Sequence, residues 1–239
     1  MKERLQKIIS AAGLMSRRQA EEKIRQGLVE VDGHVALLGE SADPAQNEIR
    51  VCGEILRSPT KTTTLMLNKP TGYICSMNDP QDRRLAIELL PSELGRLYTV
   101  GRLDYNTEGL LLLTNDGALA QHLTHPSHHV SKTYLVKVRG VLSDIGRKKL
   151  ESGVKLEDGV TAPAQVSAVR RSGHNCWFEL TLHEGKNRQV RRMCEAVGLS
   201  VVRLKRIALG GLQLGDLKTG MHRILSSDEL IRLKNMKGL

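Results

Sequence analysis

Aromatic side chains are scarce in this 239-residue chain: Phe, Tyr and Trp together make up 3% of it. A surface that gathers single strands by stacking successive bases is therefore a poor primary explanation. Long hydrophobic stretches are missing too. No unbroken apolar run exceeds four residues, as at Leu110–Leu113, whereas a membrane-spanning helix needs about 20. Met1–Gln6 is rich in charge and no apolar segment follows it, so no signal peptide and no membrane partner are expected. The four cysteines, Cys52, Cys75, Cys176 and Cys194, are scattered and form no C-x-x-C pair. They read as reduced, buried thiols of a cytoplasmic protein, not as a disulfide frame or a zinc site.

What the chain has in excess is positive charge. It carries 36 Lys and Arg against 26 Asp and Glu, net +10, and 40% of its residues are hydrophobic. That composition suits a packed protein whose partner is a polyanion such as nucleic acid. The surplus is not uniform: residues 1–60 are net neutral, and the whole +10 lies in residues 61–239. The Pro, Ser and Thr stretch at 58–64 lacks hydrophobic periodicity and reads as a linker between a domain at 1–57 and one at 65–239.

In the first domain, Leu5, Ile8 and Ile9 mark one face of a helix that Gly13 stops. Ser16 with Gln19 makes a capping box for a second helix over Arg17–Gln26, closed by Gly27. Leu28–Val31 and His34–Leu37 alternate like strands around Asp32–Gly33, a hairpin turn. Gly13, Ser16, Arg17, Arg18, Ala20, Gly27, Val29, Val31, Asp32 and Gly33 together resemble the ribosomal-protein-S-four-like RNA-binding domain, over roughly Glu3–Val51. The resemblance implies docking onto structured RNA through Arg4, Arg17, Arg18 and Arg25.

The second domain mixes strands and helices without a regular βαβ rhythm. Strands are expected at Thr64–Asn68, Leu97–Val100, Gly109–Leu113, Thr133–Val138, Val160–Val169, Cys176–Leu182 and Val201–Leu209. Helices are expected around Leu119–Leu123, Leu142–Leu150, Asn187–Val197 and Asp228–Lys234. The fold class is α+β, with a mixed, mostly antiparallel sheet.

Two polar segments are placed for chemistry. Gly101–Gly109, with Asp104 at its centre, leaves one apolar strand and enters another. An aspartate there is a nucleophile, a general base, a metal ligand or a turn former. Glu184–Arg206 holds seven Lys or Arg and two Glu. Its Val190, Met193, Cys194 and Val197 form an apolar helical face, so Lys186, Arg188, Arg191 and Arg192 surround a basic surface suited to phosphate. His122, His125, His128 and His129 lack a carboxylate at ligand spacing and straddle Pro126, so no metal site is expected.

Leu67–Tyr73, Gly101–Gly117, Lys132–Tyr134 and Glu184–Met193 resemble the RsuA/RluB-type ribosomal RNA pseudouridine synthases, nearest the RluB branch. The resemblance implies isomerisation of a uridine in ribosomal RNA, free or in pre-ribosomal particles, with Asp104 as the essential carboxylate. It implies Tyr134 as the stacking ring, Arg191 as the basic partner of Asp104, Val190 as the pocket wall and Arg102 as the residue that enters the gap left by a flipped base. Lys69 and Asn106 fall on motif positions that support the site. Large-subunit (23S) RNA is the expected target, with small-subunit (16S) RNA, or a non-catalytic role as an RNA-binding assembly factor, as alternatives. No cofactor is required, because the reaction changes no oxidation state, and a monomer is expected.

Overall fold

The computed structural model describes residues 2–57 and 62–236. Ser16 accepts a hydrogen bond from the Gln19 amide while the Gln19 side chain accepts from the Ser16 amide. Two of the orphan donors at a helix start are thereby satisfied. This capping box opens α2 (Arg17–Arg25), which follows α1 (Leu5–Ala11). Strands β1 (Val29–Val31) and β2 (His34–Val35) form the expected hairpin, with Asp32 and Gly33 both at positive φ. Two further strands, β3 (Ile49–Val51) and β4 (Glu54–Ile55), extend it to the order β2-β1-β3-β4. Leu5, Ile9, Ala20, Val29 and Val51 pack as this unit's own core.

The chain divides into two compact units. One holds residues up to Thr63 together with Ser92–Leu97 and Asn115–Gly117; the other holds Thr64–Pro91, Tyr98–Thr114 and the chain from Ala118 onward. Most of the expected linker, residues 58–61, lies outside the described residues, and Thr64 already belongs to a strand.

The larger unit contains β5 (Thr64–Lys69), β6 (Tyr98–Val100), β7 (Glu108–Thr114), α3 (Gly117–Thr124), β8 (Lys132–Arg139), α4 (Asp144–Ser152), β9 (Gln165–Ser172), β10 (Asn175–Leu182), α5 (Gln189–Ala196), β11 (Ser200–Leu209), β12 (His222–Ile224) and α6 (Ser227–Lys234). Its sheet runs β9-β10-β8-β11-β7-β5-β12, with β6 on β7. Every pairing on that path is antiparallel except β11 with β7. The run Leu110–Leu113 is buried on both faces of β7, which is why it does not alternate with polar residues. Val136, Phe178, Leu180 and Met193 form one core; Met66, Leu110, Leu112, Leu119 and Leu233 form another.

Three expectations need correction. The strand read at Val160–Val169 is interrupted: Gly159–Val160 pairs locally with Lys155–Leu156, and the long strand begins only at Gln165, beyond Pro163, which has no amide to donate to a ladder. The helix read from Asn187 begins at Gln189, because Arg188 is left-handed at φ 47°. The cysteines are all free, but only Cys176 and Cys194 are buried; Cys52 is exposed and Cys75 half-buried.

Two features of this unit place the loop between β6 and β7. Gly109 sits at φ +107°, and a Cβ there would lie 2.2 Å from the carbonyl oxygen of Arg206. Only glycine lets β7 approach β11 at that point. Lys69 ends β5 with no exposed surface, and its ammonium donates to the carbonyls of Pro70 (2.9 Å), Asp104 (3.2 Å) and Thr107 (2.9 Å). Burial pulls its pKa below the ordinary lysine value, and Cys75, Asp104 and Glu108 oppose that fall.

Gly109→Ala is expected to cost about 2–6 kcal/mol through backbone strain and overpacking, read from urea unfolding. Lys69→Met leaves the Thr107 carbonyl without the ammonium and the Asp104 carbonyl with only the Thr107 amide, and is expected to cost about 1–3 kcal/mol in the same measurement. Wild-type stability in either variant would remove that residue from the account of the loop.

Candidate active site

Asp104 begins a tight turn closed by the Thr107 amide donating to the Asp104 carbonyl (3.0 Å). Each carbonyl of the turn has a partner. Lys69 holds those of Asp104 and Thr107, the Gly72 amide donates to Tyr105 (2.9 Å), and Arg191 Nη2 donates to Asn106 (2.8 Å). The Leu103 amide, just before the turn, donates to the Cys75 thiol at 3.3 Å. A segment tied at every residue cannot drift, so the position of the Asp104 side chain is set by the backbone beneath it.

The Asp104 carboxylate lines a cleft of about 380 Å³, within the common range of about 300–1,000 Å³ for small-ligand sites. Apolar walls come from both cores: Val100, Leu123 and Leu209 from one, Val190, Leu182 and Leu204 from the other. Tyr134, half-buried on β8, faces the same space, as do Arg102, Lys186 and Arg188.

The Glu184–Arg192 segment is organised by its own side chains. The buried Gln189 side chain accepts from the Lys186 amide (3.0 Å) and donates to Glu184, whose same oxygen also accepts from the Ala162 amide (3.0 Å). This clasp turns Lys186, Asn187 and Arg188 toward the cleft ahead of α5. Glu184 is thereby occupied, and Glu108, buried at the start of β7, is engaged by Arg203. Among the described residues, Asp104 is the cleft carboxylate whose side-chain oxygens take no hydrogen bond from the protein.

Not every residue singled out in the sequence reaches the cleft. Lys69 is beneath the loop, with its ammonium spent on carbonyls, and so supports the turn rather than touching a ligand. Asn106 is exposed and contributes its backbone oxygen. Arg191 grips that oxygen instead of forming a direct pair with Asp104. Burial and neighbouring Arg188 lower the pKa of Arg191, while the charge of Asp104 raises it, so the two residues act on each other through space. Arg192 is held bidentate by Asp158 at 2.9 Å for both contacts, pointing it away from a free phosphate-binding role.

On the smaller unit, Arg17 and Arg18 are exposed on the first turn of α2. Arg25 pairs with Glu22 at 3.0 Å, and Arg4 donates to the Gly39 carbonyl at 2.7 Å. Of the histidines, His122 and His128 pack with ring centroids 4.5 Å apart and planes tilted by 41°. Among the described residues, no group of three or more ligating side chains is arranged to hold a metal ion.

Two cleft residues were missed as candidates, Lys132 and Arg206. Lys132 stands two residues before Tyr134, a spacing that puts both on one strand face. Arg206 lies in the basic stretch after Glu184, but nothing in the sequence marks a charged residue there as buried.

The chain is similar to known proteins over nearly its whole length. The family model described as RNA pseudouridylate synthase matches residues 63–196, and the S4 domain model matches residues 3–42. An uncharacterised RNA pseudouridine synthase of Aquifex aeolicus is 41% identical over 241 residues, covering 100% of this chain and 96% of the relative. Ribosomal large subunit pseudouridine synthase B of Bacillus subtilis is 42% identical over 234 residues, with coverages of 97% and 96%. The protein of that name from Yersinia pestis is 44% identical over 220 residues, 90% of this chain and 69% of its own length. A solved pseudouridylate synthase structure, 34% identical, superposes with a TM-score of 0.70 over 96% of this chain and 99% of that one. The chain thus belongs to the RNA pseudouridine synthases, isomerases that here carry an N-terminal S4 domain.

Proposed function

We propose that this enzyme converts a specific uridine of large-subunit (23S) ribosomal RNA into pseudouridine, with Asp104 as the essential carboxylate. The observation that carries the reading is Asp104 itself: a carboxylate without a protein hydrogen bond, on a fully tied turn, facing the same cleft as Tyr134. The choice of RNA rests on relatives named for the large ribosomal subunit.

The target uridine leaves its stack, at a cost of about a few kcal/mol, and enters the cleft. Its base stacks on Tyr134 against Val190, while Arg102 occupies the space it vacates. The Asp104 carboxylate acts at the ribose, by attack at C1′ or by removal of the C2′ proton; both routes break the C1′–N1 bond, and C5 joins C1′ as the Asp104–C1′ bond breaks or as the proton returns to C2′. Arg191 keeps positive charge near that carboxylate. Arginine stays protonated at neutral pH, so its contribution is electrostatic and positional. Arg188 holds RNA phosphates at the rim, with Lys186 beside it in a lesser way because its ammonium donates to the Val160 carbonyl at 3.1 Å, and Arg17 and Arg18 hold phosphates on the S4 domain, where exposed amides at a helix start add to their charge. Arg4, Arg25 and Arg192 belong to the same basic surface in a lesser way, each being already engaged within the protein. The site of action is the cytoplasm, where ribosomal RNA is assembled, and the enzyme works as a monomer with no cofactor.

Asp104→Asn is expected to abolish pseudouridine formation, mapped by carbodiimide on 23S RNA or its precursor particles, while leaving RNA affinity within about twofold. Full activity in that variant, checked for reversion, would refute the assignment. Tyr134→Phe is expected to retain at least about a tenth of the activity, because stacking needs only the ring; complete loss would make the hydroxyl essential. Arg17→Ala with Arg18→Ala is expected to weaken binding and to flatten its dependence on salt by up to about two counterions. An unchanged salt slope would take these residues out of the interface.

A further inference from the structure

Beside Tyr134 the cleft wall carries two cations, Lys132 and Arg206, neither of which forms a salt bridge among the described residues. Lys132 lies two residues before Tyr134 on β8, and Arg206 is paired directly across from Tyr134 on β11. All three line the cleft. Arg206 is 3% exposed. Its Nε donates to the Leu110 carbonyl at 2.7 Å, but its Nη2 is buried without any partner. Lys132 donates one hydrogen bond, to the Val130 carbonyl at 2.8 Å. Burial and then the charge of Arg206 push the Lys132 pKa down to about 8. A buried guanidinium with an unmade hydrogen bond, beside an ammonium that it repels, costs free energy in the empty protein. A bound anion would relieve both terms at once.

The proposed reaction generates one in this place. When C1′–N1 breaks, the bonding pair stays with the base, and uracil carries negative charge over N1, O2 and O4. A ring stacked on Tyr134 has its edge beside the directly opposite residue, at a Cβ separation of roughly 4.5–5.5 Å, and beside the next residue along the same face, roughly 7 Å away. Those residues are Arg206 and Lys132.

We propose that Lys132 and Arg206 form a cationic subsite that stabilises the departing uracil as its anion and holds it while it turns. C5 then bonds to C1′, the C5 proton passes to water, water returns a proton to N1, and the base is neutral again. Asp104 works at the sugar, whereas this pair works at the leaving group. The inference rests on the uridine-isomerising reading above. A flanking RNA phosphate is the other anion such a pair could bind, and the test separates the two.

The experiment compares wild-type enzyme, Lys132→Met and Lys132→Arg in single turnovers on target RNA carrying uridine or 5-fluorouridine at the modified position. It follows loss of the starting nucleoside and, separately, RNA affinity. Fluorine withdraws charge and stabilises the departing base without help from the protein. Lys132→Met is expected to slow uridine by about 100-fold, the scale of losing one stabilising donor, and 5-fluorouridine by about tenfold or less. Affinity should stay within about twofold, and Lys132→Arg should recover most of the rate. Equal slowing on the two substrates would overturn the proposal, since a merely structural defect ignores the leaving group. Lost affinity with an unchanged rate would also overturn it and assign the pair to a phosphate. If wild-type enzyme makes no pseudouridine, the functional reading fails with it; if wild-type enzyme does so and Lys132→Met matches it, the subsite alone fails.

Discussion

The site depends on a buried ammonium. Lys69 gives up its hydration to reach three carbonyls, two of them in the turn that carries Asp104. Desolvating a lysine costs several kcal/mol, and charge-assisted hydrogen bonds return roughly 1.5–3 kcal/mol each. Three bonds at about 3 Å are therefore what makes the arrangement tolerable. Removing one partner orphans the others, so the turn and the lysine stand or fall together. Gly72 and Arg191 complete the set by taking the two remaining carbonyls. The loop is a short, fully hydrogen-bonded element despite having no regular secondary structure.

The second constraint is the close parallel approach of β7 and β11 at Gly109. It joins the part of the sheet that backs one core to the part that backs the other. The cleft draws apolar walls from both. It also sets Arg206 in the cleft lining, where its Nε can reach the Leu110 carbonyl of the adjoining strand. Local chain chemistry and long-range sheet topology thus meet at the same few residues.

Much of this was legible in one dimension. The Ser16–Gln19 box, the strand at Gly109–Leu113 and the apolar face of α5 follow from spacing alone, because the forces behind them act within a few residues. The motif around Asp104 pointed to a loop that lines the cleft. What could not be read was the fate of charged side chains. Arg and Lys are exposed by default, and nothing near Lys69 or Arg206 in the chain announces that distant carbonyls wait for them. Arg191 was read as a direct partner of Asp104, but it holds the backbone two residues further on, a choice made by tertiary geometry. Pro163 has no amide to donate, so Val160–Val169 divides into a local hairpin and a later strand.

Because the turn at Asp104 has no uncommitted carbonyl, it has no slack with which to follow a new substrate. Retargeting such an enzyme to a different nucleotide must therefore be done elsewhere, by redrawing exposed arginines and the clasped loop ahead of α5. On the proposed reading, the chemical step and the choice of address are separable parts of the molecule, and evolution can revise the second while leaving the first untouched.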